Sequence, residues 1–223
     1  MIYVVMRGIV RSIVAIVLGK RLHVDGLHHV PRHGAALVVG NHVGAVDPVL
    51  MGTKIPRFDV YYMAKSELFR RRLLGWLFLR SHTFPVVRDT PDRHALRHAL
   101  RLLGAGHVVL VYPEGTRSPD GRLRPPHPGA GFIALHSGAV IVPVASWGSD
   151  KVLPRGVHFP RRADVHLRVG EPFRLPTQGA GGRPLTSQEA STYMMSRVSA
   201  LLPPELKATA EETDTTAGSP PAA

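Results

Sequence analysis

Apolar residues along this chain fall into runs of different length and period, and each kind of run predicts a different element. Residues 1–18 are apolar apart from Arg7, Arg11, Ser12 and a glycine. The two arginines stand one helical turn apart, which predicts a helix with one basic stripe. Short apolar runs flanked by Gly and Pro at 107–112 and 140–144 predict strands buried on both faces, hence central ones, and the apolar run at 35–39 predicts another strand. Strands are also predicted at 22–27 and 60–64, and a more exposed one at 164–169, where apolar and polar residues alternate. Helical signals cover 48–55, 66–79, 91–103 and 187–202. Ser66 is the expected cap of the second of these, with Arg70, Arg71 and Arg72 beside an apolar face of Leu68, Leu73, Trp76, Leu77 and Leu79. The third has Pro91 in its first turn and Gly104 and Gly106 at its end. From Pro203 onward Pro, Ala, Thr, Glu and Gly dominate, so 204–223 read as a disordered tail. The expected fold is α/β: a single domain over 21–203 with a mixed, largely buried central sheet flanked by helices, plus the N-terminal helix over 1–20.

That first helix suits the membrane interface, with arginines among head groups and Ile2, Val5, Ile9, Ile13, Ile16 and Val17 in the lipid. A spanning helix needs about 20 apolar residues and tolerates arginine poorly at its centre. A cleaved secretory signal fits badly, because Lys20 and Arg21 stand where small residues are needed. Packing of the helix on the protein's own core stays open as the other reading. The helix at 66–79 could touch membrane as well. The expected location is the cytoplasmic face of the cell membrane, peripheral or monotopic.

At 223 residues and 44% apolar content the chain can build one core, and with no cysteine it has neither disulfides nor a thiolate nucleophile. A formal net charge of +12, carried chiefly by arginine, points to an anionic partner. Nucleic acid is not expected: aromatics are 6%, no helix-turn-helix or RNA-binding aromatic string appears, and the arginines are spread through every segment. Part of the arginine excess also fits a GC-rich genome.

Two segments carry candidate chemistry. In the first, from Asn41 to Pro48, the run at 35–39 ends at Gly40, and His42 then precedes Asp47. An imidazole with an ordinary pKa of about 6.5 is a base at neutral pH, and a carboxylate on its other nitrogen orients it and stabilises its cation. On a regular helix the two would be rotated about 140° apart. A turn is therefore expected, helped by Gly44 and Pro48. The plainer alternatives are an ordinary histidine and a helix-capping aspartate. In the second segment, Tyr112 to Ser118, backbone N–H groups with Gly115, Thr116 and Arg117 could grip a phosphate, and Glu114 could position Arg117 or a substrate hydroxyl. Its alternative is a strand-to-helix turn with an exposed arginine. No spacing such as His-Glu-x-x-His appears among the histidines, so no metal is expected.

Together these segments resemble the paired signatures of the glycerolipid acyltransferases of the 1-acylglycerol-3-phosphate acyltransferase type, an H-x4-D block followed by Pro-Glu-Gly-Thr-Arg-Ser. The resemblance runs from about Leu27 to Trp147. It implies transfer of a fatty acyl group from acyl-CoA or acyl-carrier protein to the hydroxyl of a lysophospholipid, 1-acylglycerol-3-phosphate first, with no bound cofactor. Glycerol-3-phosphate, an amino- or glycolipid, and a noncatalytic membrane-binding relative are the alternatives. The resemblance assigns acceptor binding to Arg88, after a Pro-Val pair, and to Lys65, and makes 140–144 a wall of the acyl channel. The family usually carries serine where Gly44 stands, so a hydroxyl is missing there. It often has Lys-x-Gly where His127-Pro128-Gly129 stands, which leaves a phosphate contact at that point in doubt.

Overall fold

The structure, a computed structural model, describes residues 2–87, 92–157 and 159–207. The short apolar runs form a seven-stranded sheet in the order β1-β7-β6-β2-β5-β3-β4. Its strands are β1 (Leu22–Asp25), β2 (Ala36–Gly40), β3 (Val60–Lys65), β4 (Thr83–Val86), β5 (Val108–Val111), β6 (Val140–Trp147) and β7 (Val165–Val169). All pairings are parallel except β6 with β7, so β1 and β7 run against the other five and the sheet is mixed.

The three wholly apolar runs are the three central strands, as double-sided burial requires. Successive residues point to opposite faces. Leu37, Val39, Val109, Val111 and Ile141 pack under α4 (Arg93–Gly104), α5 (Gly129–Ser137) and α6 (Ser187–Ser199). Ala36, Val38, Val108, Leu110 and Val142 pack with α2 (Asp47–Lys54) and the end of α1 (Ile2–Val17). A helical layer thus covers each face of the sheet. Gly131 lets α5 lie on α6: a Cβ there would stand 1.9 Å from the carbonyl oxygen of Ser187.

Several elements depart from the sequence reading. The helix expected at 66–79 is a 3-10 turn, Ser66–Phe69, followed by α3 (Arg72–Arg80), because Arg71 is extended between them. The Ser66 hydroxyl makes no cap and meets Glu67 instead. The helix expected at 91–103 begins at Arg93 and is capped by Asp92, which accepts from the backbone N–H of His94 and Ala95; Pro91 lies outside the described residues. β4 and α5 carry no clear periodic signal. β4 tolerates Pro85 because it is an edge strand, and α5 is short, with two glycines. Residues 204–206 form a 3-10 turn, Pro204–Leu206. The rest of the expected tail, from 208, lies outside the described residues.

α1 packs one side on the protein's own core and leaves an apolar side exposed, and Val17, expected in the lipid, belongs to the packed side. Val14 and Val17 pack on the core, while Ile2, Val5, Ile9, Ile13 and Ile16 are exposed. Arg7 does not join the exposed face: its guanidinium donates to the carbonyl oxygens of Ile55 and Arg57, beyond the end of α2, and lies over the Phe58 ring. Carbonyls left free at a helix end are natural acceptors for an arginine.

Candidate active site

The candidate residues gather at the C-terminal ends of β2, β5 and β6, the crevice where open α/β sheets bind ligands. β2 delivers Asn41 and His42, and a turn closed by the Asp47 N–H on the Gly44 carbonyl (3.2 Å) opens into α2 with Pro48 in its first turn. This turn brings His42 Nδ1 to 2.9 Å from Asp47 Oδ2. A carboxylate only accepts, so Nδ1 carries the proton and Nε2 is left with a free lone pair.

Asp47 is fully buried, an expensive place for a charge without donors. Donors converge on it. Oδ2 accepts from the backbone N–H of Val43 (2.9 Å) and Gly44 (2.8 Å) as well as from His42. Oδ1 accepts from the hydroxyls of Ser146 (3.0 Å) and Ser149. Gly44 serves by its size rather than its backbone freedom: a Cβ there would stand 2.5 Å from Ser149 Oγ and from its carbonyl carbon. The hydroxyl that the resemblance leaves missing at 44 therefore has a counterpart from another element, lying in that space.

The second segment is fastened to the first. Glu114 Oε1 accepts from the His42 backbone N–H (3.0 Å), and the Ser118 N–H donates to the His42 carbonyl (2.7 Å). Glu114 thus turns toward the end of β2 rather than toward Arg117. Burial, the largest cause, pushes its carboxyl up to about 8, so at neutral pH it adds little negative charge beside His42. Its Oε2 is buried without a partner among the described residues. The His42 ring stacks on Tyr112, centroids 4.4 Å apart and planes 22° apart, which limits its rotation.

Gly115 adopts a positive φ of 67°, and a Cβ there would meet the His127 ring at 2.7 Å. His127 thus stands against the turn from its own chain. Thr116 and Arg117 are half-buried in the same turn, and the guanidinium of Arg117 makes no hydrogen bond among the described residues. Arg155 reaches the Arg117 carbonyl at 3.5 Å. Lys65 lies at the end of β3 in a partly exposed ion pair with Glu67 (2.9 Å), a contact of small energetic weight. Arg88 lies outside the described residues. The run at 140–144 forms most of β6 and is core.

Sequence reasoning missed Ser146 and Ser149, the stacking role of Tyr112, and Asn41, whose amide donates to the Ser146 carbonyl and accepts from its N–H, both at 2.8 Å. Asn41 had one available signal, its place directly before His42. Chemically the arrangement is a base with an oriented, unprotonated nitrogen, beside a turn with an available guanidinium.

A family model described as Acyltransferase matches residues 21–147. The chain is similar to the 1-acyl-sn-glycerol-3-phosphate acyltransferase of Bacillus subtilis (strain 168), 31% identical over 145 residues, 65% of this chain and 70% of that protein. It is also similar to the chloroplastic 1-acyl-sn-glycerol-3-phosphate acyltransferase LPAT1 of Arabidopsis thaliana, 30% identical over 139 residues, 61% of this chain and 38% of that longer protein. The crystal structure of the 1-acyl-sn-glycerophosphate acyltransferase PlsC of Thermotoga maritima shares the fold, with a TM-score of 0.63 and 27% identity over 79% of this chain and 68% of that one.

Proposed function

The chain belongs to the acyltransferase family, and from that premise we propose that it acylates the free hydroxyl of 1-acylglycerol-3-phosphate in phospholipid synthesis, with an acyl thioester as donor. The observation that carries the reading is the fastening of the two segments: the residue bearing the base is held through its own N–H and carbonyl by Glu114 and Ser118, which flank the arginine turn.

In the proposed step His42 Nε2 takes the acceptor's hydroxyl proton as its oxygen adds to the thioester carbonyl. The thiolate then leaves and receives that proton from the imidazolium. Asp47 stabilises the cation between the two events. Arg117 holds the acceptor's phosphomonoester, with Arg88 and Lys65 assigned to the same task by resemblance alone. Gly115 and Thr116 shape the turn that presents Arg117. The donor is an acyl-CoA or acyl-carrier protein.

The test is acyl transfer to lysophosphatidic acid in detergent micelles or vesicles, with Arg117→Ala beside the wild type. Loss of a charge-assisted pair of hydrogen bonds should raise the acceptor KM by roughly 10- to 100-fold and change kcat less. Turnover only on an acceptor without a phosphate would move the reading to an amino- or glycolipid acceptor, and an unchanged KM in the variant would remove Arg117 from acceptor binding.

Both substrates are lipids or carry lipid chains, and we place the protein on the membrane surface facing the cytoplasm. Among the described residues no helix is long and apolar enough to cross a membrane. The sixteen residues of α1 extend about 24 Å against a hydrocarbon core of about 30 Å. What supports interfacial binding is the exposed isoleucine stripe of α1 and, separately, the exposed Leu73 (80% exposed), Trp76 and Leu79 of α3, near in sequence to Arg70, Arg71, Arg72 and Arg80. Ile9→Glu with Ile13→Glu is expected to weaken sedimentation with anionic vesicles by at least roughly 100-fold, since each buried isoleucine contributes about 1.5–3 kcal/mol. Undiminished sedimentation would exclude this face.

A further inference from the structure

Both motif segments lie before residue 119, yet one oxygen of Asp47 is held entirely from elsewhere in the chain. Oδ2 is served locally, by Val43, Gly44 and His42. Oδ1 is served by Ser146 at the end of β6 and by Ser149 in the turn that follows. Ser149 lies beyond the segment that the family model matches, which ends at 147.

Neither hydroxyl has room to wander. Ser146 is fixed through its own N–H and carbonyl by the Asn41 side chain, and it sits two residues beyond the β2–β6 register, which ends at Gly40 opposite Val144. Ser149 is fully buried and starts a 3-10 turn, Ser149–Lys151. Gly148 precedes it at a φ of 80°, where a Cβ would stand 2.2 Å from the Asp164 carbonyl oxygen, so the turn is pressed onto the chain before β7. On its other side Ser149 abuts Gly44, so it touches both the aspartate and the loop that carries the base.

We infer that Ser146 and Ser149 are positioning residues for the base: by holding Oδ1 they set the rotation of the Asp47 carboxylate, and through it the direction in which His42 presents Nε2. This rests on the reading of His42 as the base. A carboxylate released at Oδ1 can turn about its Cβ–Cγ bond, and Oδ2 then shifts against Nδ1. A small misdirection of a proton-accepting nitrogen is costly, because proton transfer needs the hydroxyl on the axis of its lone pair. The apparatus accordingly includes a third segment, the end of β6 and its turn, which neither motif contains. Residues that only filled space would affect melting and leave the base's contribution alone.

The experiment compares the wild type, Ser146→Ala, Ser149→Ala and the double variant, each also in a His42→Ala background, reading kcat, acceptor KM and Tm. Loss of one hydroxyl should lower kcat roughly tenfold and loss of both roughly 100-fold, with KM within about threefold. In the His42→Ala background the same changes should cost less than about threefold, since the orientation of an absent base has no consequence. Should the double variant not fold, the single ones carry the comparison. A folded variant with wild-type kcat, or an equal loss with and without His42, would overturn the inference. Wild-type turnover by His42→Ala alone would instead remove the base on which it rests.

Discussion

Replacing His42 by alanine is expected to lower kcat by roughly 10³–10⁴-fold while leaving the acceptor KM within a few-fold. The size follows from the chemistry. An alcohol attacking a thioester at neutral pH must shed its proton as the new bond forms, and water is a poor recipient for it. His42 is the only imidazole whose Nδ1 faces a buried carboxylate among the described residues: the other histidine–aspartate contacts, of His23 and His107, involve half-exposed partners outside the crevice. The variant should fold, because the ring is partly accessible and its loss removes the stack on Tyr112 but no hydrogen bond from the backbone. Assay of acyl transfer alongside a thermal melt decides the matter. A folded variant with more than about a tenth of wild-type kcat would exclude His42 as the base.

Asp47→Ala should damage both folding and catalysis. It strands the buried N–H groups of Val43 and Gly44 and leaves the hydroxyls of Ser146 and Ser149 to find other acceptors. Unmet buried donors cost about 1–3 kcal/mol each, so a loss of about 3–5 kcal/mol and a fall in Tm on the order of 10 °C are expected. Asp47→Asn separates the two effects. The backbone donors select its amide oxygen for the Oδ2 position, and its amide hydrogens then face hydroxyls that can reverse and accept. Tm should stay near the wild type, while kcat falls by roughly 10²-fold for want of a charge opposite the imidazolium. Circular dichroism melts with kcat for both variants test this; an Asn variant as unstable as the Ala one would show that the hydroxyls do not adapt.

Much of this molecule is legible in its sequence. The apolar runs at 107–112 and 140–144 are central strands as expected, because a strand covered on both faces must be apolar throughout, and the strand expected at 35–39 lies between them. The turn between His42 and Asp47 was forced by helical geometry, and it is present. β4 was less visible, since an edge strand of four residues with a proline repeats no pattern. The inward turn of Arg7 is not legible, because periodicity locates the face of a helix but not the carbonyls waiting opposite it.

By itself, then, the sequence determined the α/β class, the central strands, the family and the pairing of base with aspartate. All of these depend on residues close in the chain or on strings of fixed spacing. Only the tertiary structure decided that Glu114 turns back to His42, that Arg7 faces inward, and that Ser146 and Ser149 close the shell of Asp47. Those contacts join residues 72, 48, 50, 99 and 102 positions apart. Hydrophobic period records which face a residue occupies. Which distant hydroxyl reaches a given oxygen is settled by strand order and register, here by β5 and β6 lying on either side of β2.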